Sequence, residues 1–342
     1  MIEARHLTKM YGSHAALRDL SFTVEKGQIY GLLGPNGAGK STTMNIVTGC
    51  LSATDGEVKI GGYDIFEEPD KAKKLIGYLP EQPPLYLNRT PREYLEFVAE
   101  AKKIARSERE RQIEAVMRQT QIEDVADRLC KNLSKGYKQR VGIAQALLGN
   151  PEVIILDEPT VGLDPKQIIE IRELIKSLSK DHTVILSSHI LSEVQAVCSM
   201  IMIISKGQLI ACDTPENLEK LWAGGGSIEL VIEASARETE KILKGIEGIL
   251  SLNIEETAEK RCRAVVDAAA DDAENVCRKV FFACSSAEKA ILQMSQVKAS
   301  LEDIFIELTS GEAETAAAAE AEDEPAADNG KAEPREDGEV NE

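Results

Sequence analysis

At 342 residues the chain is long enough for two domains, each with a core of its own, and 43% hydrophobic with 29% charged residues is the balance of a soluble globular protein. No apolar run approaches the ~20 residues needed to cross a bilayer, and residues 1–6 lack the apolar core of a secretory signal, so a cytoplasmic location is expected. The net charge of -18 opposes non-specific nucleic-acid binding and is uneven: residues 311–342 carry twelve acidic side chains against Lys331 and Arg335, a net of -10, which leaves -8 for the other 310.

In chain order, residues 20–24 alternate with period two and run into the turn at Lys26 and Gly27, and residues 28–33 form a short buried-strand pattern. The next residues, Gly34, Pro35, Asn36, Gly37, Ala38, Gly39, Lys40 and Ser41, match G-x-x-x-x-G-K-[ST] at every fixed position. Glycines there allow tight turns that bring successive backbone N–H groups to phosphate oxygens. Lys40 can reach the β- and γ-phosphates, and the Ser41 hydroxyl can ligate Mg²⁺. A helix read from Thr42 to Val47 would point its N-terminal dipole at the same anion. A nucleoside triphosphate is therefore the expected ligand.

Asp55 and Gly56 signal a turn before a strand at 57–60, which suggests antiparallel strands edging a mixed sheet. Residues 88–150 then read as helical. Thr90, Pro91, Arg92 and Glu93 have the form of a capping box with proline at the first helical position, and Tyr94, Phe97, Val98 and Ala101 follow at helical spacing. A second helical stripe carries Ile113, Val116 and Met117. Ser134 is a good N-cap, opening a helix whose N-terminus could face an anion. Strands are expected again at 153–156, 183–187 and 200–204, alternating with helices as in an α/β core with parallel strands. The first of these ends in Asp157 and Glu158. A buried parallel strand delivers its carboxyl end to the ligand crevice, where Asp157 can hold Mg²⁺ through water and Glu158 can take a proton from an attacking water. Gly224, Gly225 and Gly226 suggest a hinge, and the segment beyond reads as a small α+β unit of βαββαβ order. Residues 311–342 have almost no large apolar side chains and are expected to be disordered. The seven cysteines form no C-x-x-C pair, so neither a zinc site nor a disulfide framework is indicated.

Together these motifs resemble the nucleotide-binding subunit of an ABC transporter. Residues 133–140, LSKGYKQR, resemble the family's signature motif; they depart from the common LSGGQ form at Lys135 and Tyr137 but keep Ser134 and Gly136, the positions the family uses for phosphate contact. This variant is similar to that of the ATPase subunits of small bacterial exporters. By the same resemblance, Gln82 would sense Mg²⁺ and the attacking water and couple to the membrane partner. Asp164 would lie on the loop that crosses to a second subunit, His189 would contact the γ-phosphate, and Tyr11 would stack on adenine, for which a flat ring with a polar tip is suited.

The implied architecture is a P-loop NTPase core of ABC ATPase type over 1–222, with mixed sheet and helical subdomain (88–150), a glycine-rich linker at 223–226, a small α+β accessory domain at 227–310 and the acidic tail. The implied activity is hydrolysis of ATP with Mg²⁺, with Glu158 as base and His189, Gln82 and Lys40 assisting. Ser134 and Gly136 of one subunit would close on ATP held by the other in a head-to-tail pair, here a homodimer. A separate transmembrane permease would hold the chain at the inner face of the cell membrane and set the cargo; export is the favoured direction. The groove near Gln82 is the expected docking surface, with residues 83–86 either lining it or forming a rigid loop. A soluble ABC ATPase acting in translation or DNA repair is the alternative; no second cassette or long coiled coil supports it. Residues 227–308 have either a packing or a ligand-sensing role.

Overall fold

The computed structural model describes residues 1–222, 226–258, 261–269, 272–297 and 305. The chain opens with β1 (Ile2–Tyr11) and β2 (His14–Val24), paired antiparallel, and continues through β3 (Ile29–Leu33) into α1 (Lys40–Val47). Then β4 (Asp55–Ile60) returns against β1 and β5 (Tyr63–Asp64) against β4, so the first sheet runs β2-β1-β4-β5, antiparallel throughout. The strand expected at 57–60 is β4, but it lies between β1 and β5 in this separate antiparallel sheet and does not edge the mixed one.

After α2 (Pro69–Ala72), β6 (Ile76–Leu79) leads to three helices: α3 (Pro91–Ala101), α4 (Arg106–Thr120) and α5 (Lys135–Leu147). Thr90 caps α3 in a reciprocal capping box with Glu93, as its sequence predicts. The buried stripe of α3 is Tyr94, Leu95, Val98 and Ala99, whereas Phe97 and Ala101 are exposed. Both stripes have helical spacing; α3 is rotated so that the Phe97 ring meets Tyr86, centroids 5.1 Å apart, at the surface.

Alternation then sets in: β7 (Val153–Leu156), α6 (Pro165–Leu178), β8 (Thr183–Ser188), α7 (Leu191–Gln195), β9 (Met200–Ser205), β10 (Gln208–Asp213) and α8 (Pro215–Trp222). The central sheet has the order β10-β9-β3-β8-β7-β6, parallel except for β10. Its inner strands β9, β3, β8 and β7 are buried without alternation because both faces are covered. Ile154 and Leu156 point into the core made with α3–α6, while Val153 and Ile155 point into a second core shared with the antiparallel sheet. Burial on both faces holds the strands in one register, and the carboxyl ends of β3, β8 and β7 emerge side by side.

Beyond residue 225, β11 (Gly226–Ile232), α9 (Ala236–Leu243), β12 (Ile249–Ala258), β13 (Arg261–Ala268), α10 (Ala273–Ser286) and β14 (Ile291–Val297) give the expected βαββαβ order. The antiparallel sheet β12-β13-β11-β14 is of the split-βαβ kind and has its own core, with Leu230, Ala264 and Val280 in it. Of the expected hinge, Gly224 and Gly225 lie outside the described residues, as does the acidic tail. No helix among the described residues is long and apolar enough to cross a membrane.

Candidate active site

The loop from Gly34 to Gly39 joins the end of β3 to the start of α1. Gly37 and Gly39 take φ of 84° and 105°, conformations that side chains resist. A Cβ on Gly39 would stand 2.7 Å from Leu17 Cδ2, and one on Gly34 would collide with the Ile204 carbonyl. Gly34, Pro35 and Ala38 thus shape the loop, while Asn36, Gly37, Gly39, Lys40, Ser41 and Thr42 line a cleft of about 510 Å³ above it. Lys40 Nζ donates to the carbonyls of Gly34 (2.8 Å) and Pro35 (3.3 Å).

Three neighbouring strand ends converge here. From β7, the Asp157 N–H donates to the Leu79 carbonyl at 2.8 Å and its Oδ1 accepts from Ser187 Oγ at 2.5 Å. Glu158 follows with φ 47°, a conformation costing a non-glycine residue ~1–3 kcal/mol unless its surroundings hold it. Its N–H is held by Ser187 Oγ at 2.9 Å. The Glu158 carboxylate lies 3.6 Å from Lys40 Nζ through Oε1, with side-chain exposures of 9% and 7%, and 3.0 Å from His189 Nδ1 through Oε2. A nearly buried carboxylate between a cation and an imidazole, at the mouth of a phosphate-shaped loop, is equipped to receive a proton from water beside an anion. Tyr11, 51% exposed at the end of β1, borders the cleft, and Lys9 Nζ stands over its ring, 5.4 Å from the centroid.

Other candidates stand elsewhere. Ser134 caps α5, accepting from the Tyr137 N–H at 3.3 Å, as its type predicts. With Gly136 and Asp164 it lines a separate cavity of about 510 Å³, and Asp164 caps α6 by accepting from the Gln167 N–H at 2.9 Å. Gln82 is exposed on the loop after β6 and does not line the nucleotide cleft, where Glu81 does. His14, Ala16 and Val161 also border the cleft unforeseen, and the buried Ser187, which does not line it, organises both acids. The available signal for Ser187 was a hydroxyl at the end of a buried strand, one strand over from the acids.

Ser41 and Asp157 supply hydroxyl and carboxylate oxygens, the donor types a Mg²⁺ ion takes. Among the described residues no group of three or more His, Cys, Asp or Glu could hold a metal. A cation fits here only with phosphate and water completing its shell, as Mg²⁺ commonly does.

The family model for ABC transporter matches residues 17–161. The linearmycin resistance ATP-binding protein of Bacillus subtilis (strain 168) is 32% identical over 310 residues, covering 90% of this chain and 98% of the relative. The bacitracin transport ATP-binding protein of Bacillus licheniformis is 42% identical over 212 residues, 61% of this chain and 68% of that one. Among solved structures, the ATP binding subunit of an ABC transporter superposes with TM-score 0.59 at 32% identity, covering 65% of this chain and 93% of that chain. A dimeric post-hydrolysis ATP-binding cassette bound to ADP and Pi superposes with TM-score 0.57 at 28% identity, covering 63% and 98%. Motifs, sheet order and near full-length similarity agree: this chain belongs to the ABC transporter family, as one of its ATP-binding, ATP-hydrolysing subunits.

Proposed function

We propose that the chain binds MgATP in the cleft over residues 34–42 and hydrolyses it in a head-to-tail homodimer that drives a separate membrane permease, in the direction of export. The observation that carries this reading is the division of the chemistry. Glu158, Lys40 and His189 meet in one cleft, while Ser134, Gly136 and Asp164 line another cavity. One chain therefore offers two different half-sites, and a head-to-tail pair completes both. The dimeric cassette of similar fold supports the pairing.

In this arrangement Tyr11 stacks on adenine and the loop N–H groups with Lys40 and Ser41 hold the phosphates. Ser41 and Asp157 would hold Mg²⁺, which would offset developing negative charge, and we assign Gln82, on the exposed loop after β6, the sensing of that ion and of the attacking water. Glu158 accepts the proton of the attacking water and His189 steadies the γ-phosphate. Ser134 and Gly136 of the partner close the site. ATP that touches both subunits favours the closed pair, and its hydrolysis releases it.

The permease docks beside Gln82, in a groove lined by Leu85, Tyr86, Leu87 and Phe97. Three of these, Tyr86, Leu87 and Phe97, are large exposed apolar side chains, which supports a partner surface. Docking there would hold the chain at the inner face of the membrane. We assign 1–222 to the ATPase domain and 227–310 to an accessory domain joined at 223–226, supported by the separate core of β11–β14. The exporter-like signature at 133–140 and the relatives' names, bacitracin transport and linearmycin resistance, favour export.

The test is capture from native membranes with Glu158→Gln in the presence of ATP, which should bind ATP but hold the dimer closed. Co-purification of a polytopic membrane protein is expected. Recovery of ribosomes or DNA with no membrane partner would overturn the proposal in favour of a soluble ATPase.

A further inference from the structure

Behind the cleft lies a polar network that the reading above does not use. Glu193, in the short helix α7, is 6% exposed. Its Oε2 accepts hydrogen bonds from Thr160 Oγ1 and from Ser188 Oγ, the latter at 3.3 Å. Ser188 Oγ in turn accepts from the Ile190 N–H at 3.0 Å, so His189 is bracketed on both sides by the same hydroxyl. Thr160 lies two residues beyond Glu158. One buried carboxylate thus ties the loop carrying the base to the loop carrying the histidine.

A third segment joins them. Arg172, on α6, brings Nη2 to 3.9 Å from Glu193 Oε1, and its buried Nε has no hydrogen-bond partner among the described residues. The helix that carries Arg172 is the one Asp164 caps. A deeply buried carboxylate is costly to keep without partners, and Glu193 meets Ser188 just before its own helix and two distant segments, through Thr160 and Arg172. An acid placed merely to favour the start of α7 would instead face that helix's own N–H groups.

We propose that Glu193 is a positioning residue for ATP hydrolysis: it sets His189 against Glu158, and Arg172 links that setting to α6. This rests on the assignment of His189 and Glu158 given above. Loss of the Glu193 charge loosens the His189 loop without touching the phosphate cradle, so turnover falls while nucleotide affinity stays.

The experiment is a double-mutant cycle on the full-length chain with Glu193→Gln, His189→Ala and both, read by single-turnover ATP hydrolysis and by ATP titration. Glu193→Gln is expected to lower the hydrolysis rate by about tenfold or more with ATP affinity within about twofold of wild type, and to cost less than about twofold in the His189→Ala background. Equal losses in both backgrounds would reveal a general scaffold role and overturn the proposal, as would a wild-type rate for Glu193→Gln. A wild-type rate for His189→Ala would sink the assignment of His189 and this inference with it; an impaired His189→Ala beside a normal Glu193→Gln sinks the positioning role alone. Should Glu193→Gln fail to fold, Ser188→Ala, which removes one hydroxyl, goes through the same cycle with the same expected and overturning results.

Discussion

Replacing Lys40 by methionine keeps the apolar stem in place and removes one positive charge from a nearly buried position. Lys40 Nζ donates to the Gly34 and Pro35 carbonyls and lies 3.6 Å from Glu158 Oε1, so two separate quantities should move. The first is nucleotide affinity. A hydrogen bond from a charged donor contributes ~1.5–3 kcal/mol, so the Kd for ATP should rise about ten- to hundredfold. The second is stability without nucleotide. Removing one partner of a buried ion pair costs up to ~3–5 kcal/mol, but His189 still faces the Glu158 carboxylate, so a loss of about 1–3 kcal/mol is expected. Glu158→Gln in the same chain should restore most of that loss, since no unpaired carboxylate then remains. Calorimetric titration with ATP reads the first effect and urea unfolding the second. An ATP affinity within about twofold of wild type would refute the phosphate role of Lys40. A stability loss that persists undiminished in the double variant would refute the Lys40–Glu158 pairing.

Gly39→Ala must place a Cβ 2.7 Å from Leu17 Cδ2 and 2.9 Å from the Ala16 carbonyl at φ 105°; it should lose about 2 kcal/mol or more in urea unfolding, and an unchanged midpoint would contradict the loop geometry. Ser134→Ala removes the cap on α5 at a cost of ~1 kcal/mol and should leave ATP titration of the cleft unchanged while lowering steady-state hydrolysis; full hydrolysis would remove Ser134 from the composite site. Lys102 gives a pH-dependent test. It donates to the carbonyls of Gln145, Ala146 and Leu148 at the end of α5, and burial pushes its pKa down to about 8 from 10.5. Between those values the unfolded chain holds the proton and the folded chain does not, so stability rises with pH across that window. Relative to Lys102→Met, the wild type should gain about 3 kcal/mol in urea unfolding between pH 7 and 10.5; an identical difference at both would show that folding leaves the Lys102 pKa unshifted.

What the amino-acid sequence determined by itself is local. The phosphate loop is contiguous, and its glycines, lysine and serine act through backbone conformations set within a few residues. The caps at Thr90 and Ser134 reach only three residues ahead, and the strand that ends in Asp157 and Glu158 declares itself by an unbroken apolar run. Whether a stripe of α3 faces inward is not local: Tyr94, Phe97, Val98 and Ala101 and the observed Tyr94, Leu95, Val98 and Ala99 are equally helical, and only packing against α4 and α5 selects between them. The juxtaposition of Lys40, Glu158 and His189 depends on β8 lying between β3 and β7, an order that no single segment encodes. Ser188, Thr160, Glu193 and Arg172 are ordinary residues along the chain. They become one network because hydrogen bonds and ion pairs act over about 3–4 Å, a range within which only the strand order of the sheet brings the distant Thr160 and Arg172 to Glu193.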